Sequence, residues 1–495
     1  MTMLRYKLTI FFIFIILHLV KTQDRGRTFR PDFNLIFAKS NIVNGNTLTN
    51  ITLASTPATT PRELPSTTPF DWYDMEFRLS NVGLRKIGEE FINSNNFIIK
   101  LKLDNNEISS ISPYAFHKMS NLRYLDLSGN KIPKERLLSF VGSTKLQTLL
   151  INNNNDSRTV DVLIDYIALD NLQNLYLCNS QLKNLQVPYY RATPNLNHLH
   201  LSNNSISSSP VVFDNIPPML THLHVDNNLI DRVEPEKLRY VQKLIMDNNI
   251  ITQVCYENCR DASISLKGAF SMQNLSLSRN KISEVTSDAF GDLNNLRYLD
   301  LSGNEIVNMH ESTFNHTTRM INLSLAHNKL TAMPNICPMR YLKSLDLTEN
   351  RIMIFFVFCR SENLEYLYLS NNHITTIENS AFVNLEYLKY VDLSGNQLKQ
   401  LPQKWVLPWN IQELHLERNN FTKIDDVSLI GIDSLKHVYL DENPMDTFKV
   451  ESFKLLPVHL TVHIGKVRIL DKKDDDNNSN NDNDDDDDDY DGDLF

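Results

Sequence analysis

One phrase recurs along most of this chain and leaves little choice of fold. Leucines spaced as LxL are followed three residues later by asparagine. The phrase reads LKLDNNEI from Leu101 to Ile108, LDLSGNKI from Leu125 to Ile132, LSLSRNKI from Leu275 to Ile282 and LHLERNNF from Leu414 to Phe421. The asparagine place is filled by Asn106, Asn130, Asn154, Ser180, Asn204, Asn228, Asn249, Asn280, Asn304, Asn328, Asn350, Asn372, Asn396, Asn419 and Asn443. The pattern LxxLxLxxNxL therefore occurs fifteen times, and eight of its fourteen intervals are 24 residues. One such unit cannot bury its own apolar side, so units with a fixed period stack into a solenoid.

The spacing also dictates how they stack. In LxL both leucines point to one face of a short strand and the residue between them to the other. Stacked copies make a parallel sheet over a continuous apolar core. A buried carboxamide both donates and accepts, so a column of asparagines can satisfy backbone groups of successive turns. Phe116, Phe290, Phe314 and Phe382 each lie ten residues past their own asparagine, and Leu429 holds that place after Asn419. This second column is expected to pack the convex side.

On these motifs the chain resembles the extracellular leucine-rich repeat family in its typical 24-residue class. That family includes Toll-type ectodomains, secreted arthropod immune repeat proteins and small matrix proteoglycans. The resemblance covers roughly residues 75–445. It implies an α/β-type solenoid, a horseshoe with a parallel sheet on its concave face and irregular, 3-10 or short helical segments on its convex face. Many secreted members carry cysteine-rich caps, whereas this chain has none flanking its repeats. Residues 446–470 are expected to cap the core by packing alone.

The ends have other compositions. Residues 1–22 read as a secretory signal, with Arg5 and Lys7 ahead of the apolar run Leu8–Val20. The alternative, a membrane anchor, needs a longer run, and no later apolar stretch approaches ~20 residues. Residues 23–74 are rich in Thr, Ser and Pro, as in a disordered or O-glycosylated arm. Phe77–Leu84 then reads as a degenerate opening turn, with Val82 24 residues before Asn106. Residues 471–495 hold thirteen aspartates against Lys472 and Lys473, a net charge of −11 in a chain whose total is −10. Such a tail is expected to be disordered and solvated, with weak calcium capture or docking on a basic partner as its functional alternatives. Tyr490 lies in an acidic setting suited to sulfation. Sequons begin at Asn50, Asn155, Asn203, Asn274, Asn315, Asn322, Asn420 and Asn477.

The five cysteines test the register. Cys337 and Cys359 each lie nine residues past their asparagines, Asn328 and Asn350, so stacking in phase would bring them within disulfide range. Cys255 and Cys259 lie in the longest interval, the 31 residues from Asn249 to Asn280, and are placed to close a local loop. Cys178 is left over, as a free thiol or an intermolecular bridge in a dimer.

In the register L1-x-x3-L4-x5-L6-x7-x8-N9, positions 3 and 5 project away from the core. Over fifteen strands they make a concave surface roughly 70 Å long. His198, His200, His222 and His224 occupy these positions on two neighbouring strands, with Lys243 on the next. The block is expected to become a cationic patch below about pH 6; the competing readings are an idle polar surface and a transition-metal site. Tyr298, Tyr366, Tyr368, Tyr390 and Tyr439 fill the same columns further on, the composition of a protein-binding strip. LRYLDLSGN occurs at both Leu122 and Leu296, so Tyr298 is close to a consensus filler.

These features favour a secreted recognition protein that binds a protein or pathogen-derived ligand on its concave face, in innate immunity or cell-surface signalling. The alternative is an extracellular matrix protein with a calcium-binding aspartate tail. No nucleophile elbow, phosphate-binding glycine loop or metal signature with a general base is present, so no enzyme, cofactor or metal site is expected. Residues 1–470 carry only about +1, which argues against nucleic-acid binding.

Overall fold

The computed structural model describes residues 37–42 and 48–54, and residues 76–470 except 90, 94–97, 139–144, 155–161, 164–168, 184, 187–192, 208–212, 214–215, 357–360, 362, 403–409, 430–431, 446, 450–451, 453–455, 458 and 466–467. The signal segment 1–22 and the acidic tail lie outside the described residues, as do Asn50 as a side chain, Asn155, Cys359 and Asn477.

Seventeen three-residue strands, one per turn, pair in parallel from Glu76–Arg78 to Thr461–His463. The first pairs only with Lys100–Lys102 and the last only with His437–Tyr439, so the sheet is open at both ends. Sixteen inter-strand steps of ~4.8 Å give a concave arc of ~77 Å. The cause is the alternation read in the sequence. In Lys100–Lys102, His198–His200 and Glu413–His415 the central leucine is buried and its neighbours are half-buried. Each turn passes its L4 and L6 leucines into one core; Leu101, Leu125, Leu301 and Leu414 are wholly inaccessible.

The asparagine column closes the core along the strand ends. Asn130 donates through Nδ2 to the carbonyl of Leu103 in the preceding turn (3.0 Å) and of Leu127 in its own (2.9 Å), while its Oδ1 accepts the Ile108 N–H (3.0 Å). The same three contacts recur from Asn106 to Asn443. Ser180 supplies only the donor half, its hydroxyl reaching the Cys178 and Ile151 carbonyls at 3.1 and 3.4 Å.

The residue before each ladder position has positive φ. It is Asn105, Asn153, Asn179, Asn203, Asn227, Asn248 or Asn371 in seven turns, glycine at Gly129, Gly303 and Gly395, and Arg279, His327, Glu349, Arg418 or Glu442 in the other five. The left-handed conformation turns the chain inward, which explains the preference for Asn and Gly there. A second column, unforeseen from the repeat pattern, lies just before L1. Asn195, Asn295, Asn363 and Asn410 each donate to a carbonyl of the previous turn at 2.6–3.0 Å.

The convex side carries two-residue strand pairs and 3-10 turns at Lys134–Arg136 and Ile424–Val427. Phe116, Phe290, Phe314 and Phe382 are buried beneath it, and the Phe290 and Phe314 rings stack at 5.6 Å. The long interval after Asn249 makes a wedge. Ser263–Ser265 lies between Gln253–Cys255 and Val233 of the preceding turn, and Gln253–Cys255 pairs onward with Glu284–Val285. One extra strand thus sits on the convex side while Lys243–Ile245 and Asn274–Ser276 pair directly on the concave side.

Two features differ from expectation. The arm 23–74 was expected to lack structure, but Phe37–Ile42 and Leu48–Ala54 form an antiparallel pair whose second strand runs beside Ile92–Asn93; alternation of Leu and Ile with Thr in LTNITLA suits a strand. The segment 446–470 does more than pack: Thr461–His463 adds a strand to the concave sheet, and Thr447–Lys449 pairs with Arg468–Leu470. Among the described residues no helix is long and apolar enough to cross a membrane.

Candidate ligand-binding face

The concave face gathers the side chains at positions 3 and 5 because the strands pair in phase: His198 is the partner of His222, and His200 of His224. Their rings lie 4.2 Å apart in both pairs, and Tyr176 stacks on His200 at 4.3 Å. Nδ1 of His198 bonds Asn197 Oδ1 at 2.7 Å, which requires a proton on that nitrogen. Lys243 is the cross-strand partner of His222.

Burial is the main reason that all four imidazoles are held below their usual range. The positive charges of Lys243 and of neighbouring histidines add to it. His200 is pushed down to about 4, by burial first and then by His224, His198 and Lys243. All four rings are therefore harder to protonate than a free imidazole, His200 most of all. Among the described residues no three His, Cys, Asp or Glu side chains converge on a metal position.

The carboxy-terminal strands hold a longer run. Tyr366 and Tyr368 approach Tyr390 at 6.5 and 5.1 Å, Tyr390 approaches His415 at 5.0 Å, and His415 stacks on Tyr439 at 4.3 Å. Tyr439 stacks in turn on His463 at 4.3 Å. The run crosses five adjacent strands without a break. Tyr298 stands apart from it, 43% exposed, beside a shallow depression of about 320 Å³ that also borders Asp300, Asp346 and Tyr368. The Asn274 and Asn322 side chains line the same depression.

His415 bonds Glu417 Oε1 through Nδ1 at 2.9 Å. Burial would lower this imidazole, but Glu417, with Asp392 and Glu413 nearby, holds it above its usual range. Burial and then the Asp392 charge raise the Tyr390 phenol far above normal, so it stays neutral. His463 was missed from the sequence because its strand lacks the asparagine; its only signal is the alternation in LTVHI. Cys255 and Cys259 are joined, their Cα atoms 5.7 Å apart, and close the tip of the wedge. Cys337 is disulfide-bonded, and Cys359, the partner expected for it, lies outside the described residues. Cys178 is a free, half-buried thiol whose acidity burial weakens.

Comparison with known proteins adds the family. A family model described as leucine rich repeat matches residues 75–132, 98–155, 170–230, 264–306 and 357–407. The chain is a leucine-rich repeat protein. Human Podocan-like protein 1 is 34% identical to it over 136 residues, which cover 26% of each chain. Mouse Podocan is 27% identical over 370 residues, covering 69% of this leucine-rich repeat protein and 59% of Podocan. The match thus spans less than two thirds of either relative. The Toll–Spätzle complex, described as a molecular hub in Drosophila development and innate immunity, superposes with a TM-score of 0.65 at 17% identity, over 80% of this chain and 55% of that one. At that identity the likeness is one of fold.

Proposed function

We propose that this leucine-rich repeat protein is a secreted recognition module that binds a protein ligand across its concave face. The unbroken run of ring contacts from Tyr366 to His463 carries the reading. Tyrosine and histidine rings offer large amphipathic contact area at small entropic cost, and the stack fixes them before a ligand arrives. The signal segment and sequons support an extracellular setting, and the resemblance to Toll-type and secreted immune repeat proteins supports a pathogen-derived or signalling ligand. The test is affinity capture from the native body fluid with and without reductant, using the unaltered chain and a Tyr366→Ala, Tyr368→Ala variant. Loss of the captured partner from a folded variant is expected. Equal capture by both would end the proposal, and release by reductant that a Cys178→Ser variant no longer shows would assign the contact to Cys178.

A second reading, a matrix protein with a calcium-binding tail, is favoured by the matches to Podocan and Podocan-like protein 1 together with the thirteen tail aspartates.

A further inference from the structure

The rim and the floor of the concave face handle charge differently. Two carboxylates outside the floor are neutralised within the fold. Glu365 takes Lys343 at 3.1 Å and Lys389 at 2.7 Å, and Glu305 takes Lys329 at 2.8 Å. The floor comprises positions 3, 5 and 7 of each turn. Over the nine strands from Asn274–Ser276 to Thr461–His463 it carries six carboxylates, Asp300, Asp346, Asp392, Glu413, Glu417 and Asp441, and no lysine or arginine. The eight preceding strands carry five carboxylates and four cations in those positions: Glu76, Asp104, Asp126, Asp226 and Asp247 against Arg78, Lys100, Lys102 and Lys243. Polarity along the arc is therefore built into the floor.

Local structure accounts for part of this. Asp300, Asp346 and Asp392 each accept a backbone N–H two residues on, at 2.9–3.0 Å. That bond occupies one oxygen and needs no charge, because asparagine would accept it equally well. Among the described residues Glu413 and Asp441 have no ion-pair partner; of the lysines just before the floor strands, Lys343 and Lys389 are held on Glu365 and Lys436 donates to Gln412. Unpaired carboxylates beside tyrosine rings form a surface complementary to guanidinium and ammonium groups, which pair with the first and lie over the second.

We propose that the carboxy-terminal half of the concave floor takes an arginine- or lysine-rich segment of a partner protein, set against Asp346, Asp392, Glu413 and Asp441 and over the rings of Tyr366, Tyr368 and Tyr390. The proposal rests on the reading that this face binds a protein and adds the chemistry of that partner.

The probe is a fluorescent octa-arginine peptide at near-physiological salt, with the full-length chain. Its acidic tail also attracts a polycation, so the measurement uses a background in which Asp484 to Asp489 are asparagines. In that background Asp346→Asn, Asp392→Asn, Glu413→Gln keeps the backbone acceptors and is expected to weaken binding about fivefold or more. A photo-crosslinking version of the probe is expected to label strands between Ser344 and His463. Binding within about twofold of the unaltered floor, or labels confined to other strands, would overturn the proposal. The partner captured by the natural chain separates the two readings. If the paired tyrosine variant loses it and the carboxamide variant keeps it, the concave face binds a protein but not through basic groups. If neither loses it, both readings fail.

Discussion

At the residue scale the fold is written by the two positions that end each strand. The ladder asparagine saturates three backbone groups from two turns, and the residue before it supplies the left-handed bend. Where that residue is glycine, the neighbouring turn uses the space. A Cβ on Gly129 would stand 2.5 Å from Asn105 Oδ1, and one on Gly395 would meet Asn371 Oδ1 still more closely. Gly395 has φ of 63°. Gly395→Ala is therefore expected to cost about 1–3 kcal/mol, from the left-handed conformation and the displaced amide. A urea melt measures the loss, and adding Asn371→Gly should recover the steric part. Titration of His200 gives a second residue-scale expectation. Its imidazole protonates at about 4 in the fold and near the usual 6.5 in the unfolded chain. The unfolded state then holds more protons between those values, so stability falls as pH drops from about 6.5 towards 4 and is unaffected above. The shift corresponds to about 3 kcal/mol, which solvent screening of a half-buried ring trims to roughly 2 kcal/mol. His200→Gln should flatten that part of the pH–stability curve, and a parallel slope in variant and natural chain would show that the ring is not held low.

At the element scale, much of the architecture was legible because period and alternation are local. LxL sets which side of a strand is buried, and N9 sets where it ends, so the positions of His198, Tyr366 and their neighbours could be placed in columns from the sequence. Departures from the period were visible without their geometry. The 31-residue interval marks the wedge, but nothing in CYENC or SISL states that Ser263–Ser265 slips between Gln253–Cys255 and the turn before it. Thr461–His463 was illegible as a repeat because Val467 stands in the asparagine place and Leu460 is displaced by one residue from L1. Side-chain lean was also hidden: Tyr390 occupies position 3 yet bridges Tyr368 and His415 at position 5. The wedge carries its own test. Opening Cys255–Cys259 frees only a short loop, for which chain entropy suggests about 2 kcal/mol. Cys255→Ser, Cys259→Ser should speed amide exchange in Gln253–Cys255 and Ser263–Ser265 while the concave strands keep their protection. Uniform loss of protection would mean instead that the wedge holds neighbouring turns in register.

At the scale of the whole molecule, charge and apolar burial are separated along the chain. The solenoid stabilises itself turn against turn, and residues 1–470 are nearly neutral in sum, while residues 471–495 concentrate −11 beyond the last strand. A segment with that composition has almost no apolar surface to bury, so its contribution to folding is expected to be small. Deleting 471–495 should change the net charge from −10 to about +1 and leave the melting temperature within a degree or two of the full chain. The same deletion weighs the two functional readings. Clustered carboxylate oxygens attract calcium, so a tail-centred matrix role predicts that calcium binding, measured by equilibrium dialysis, disappears with the tail. A concave-face role predicts that partner capture survives the deletion and is lost with Tyr366 and Tyr368. Loss of partner capture on removing the tail alone would place recognition outside the horseshoe, because a sheet whose strands pair from Glu76 to His463 does not depend on residues beyond it.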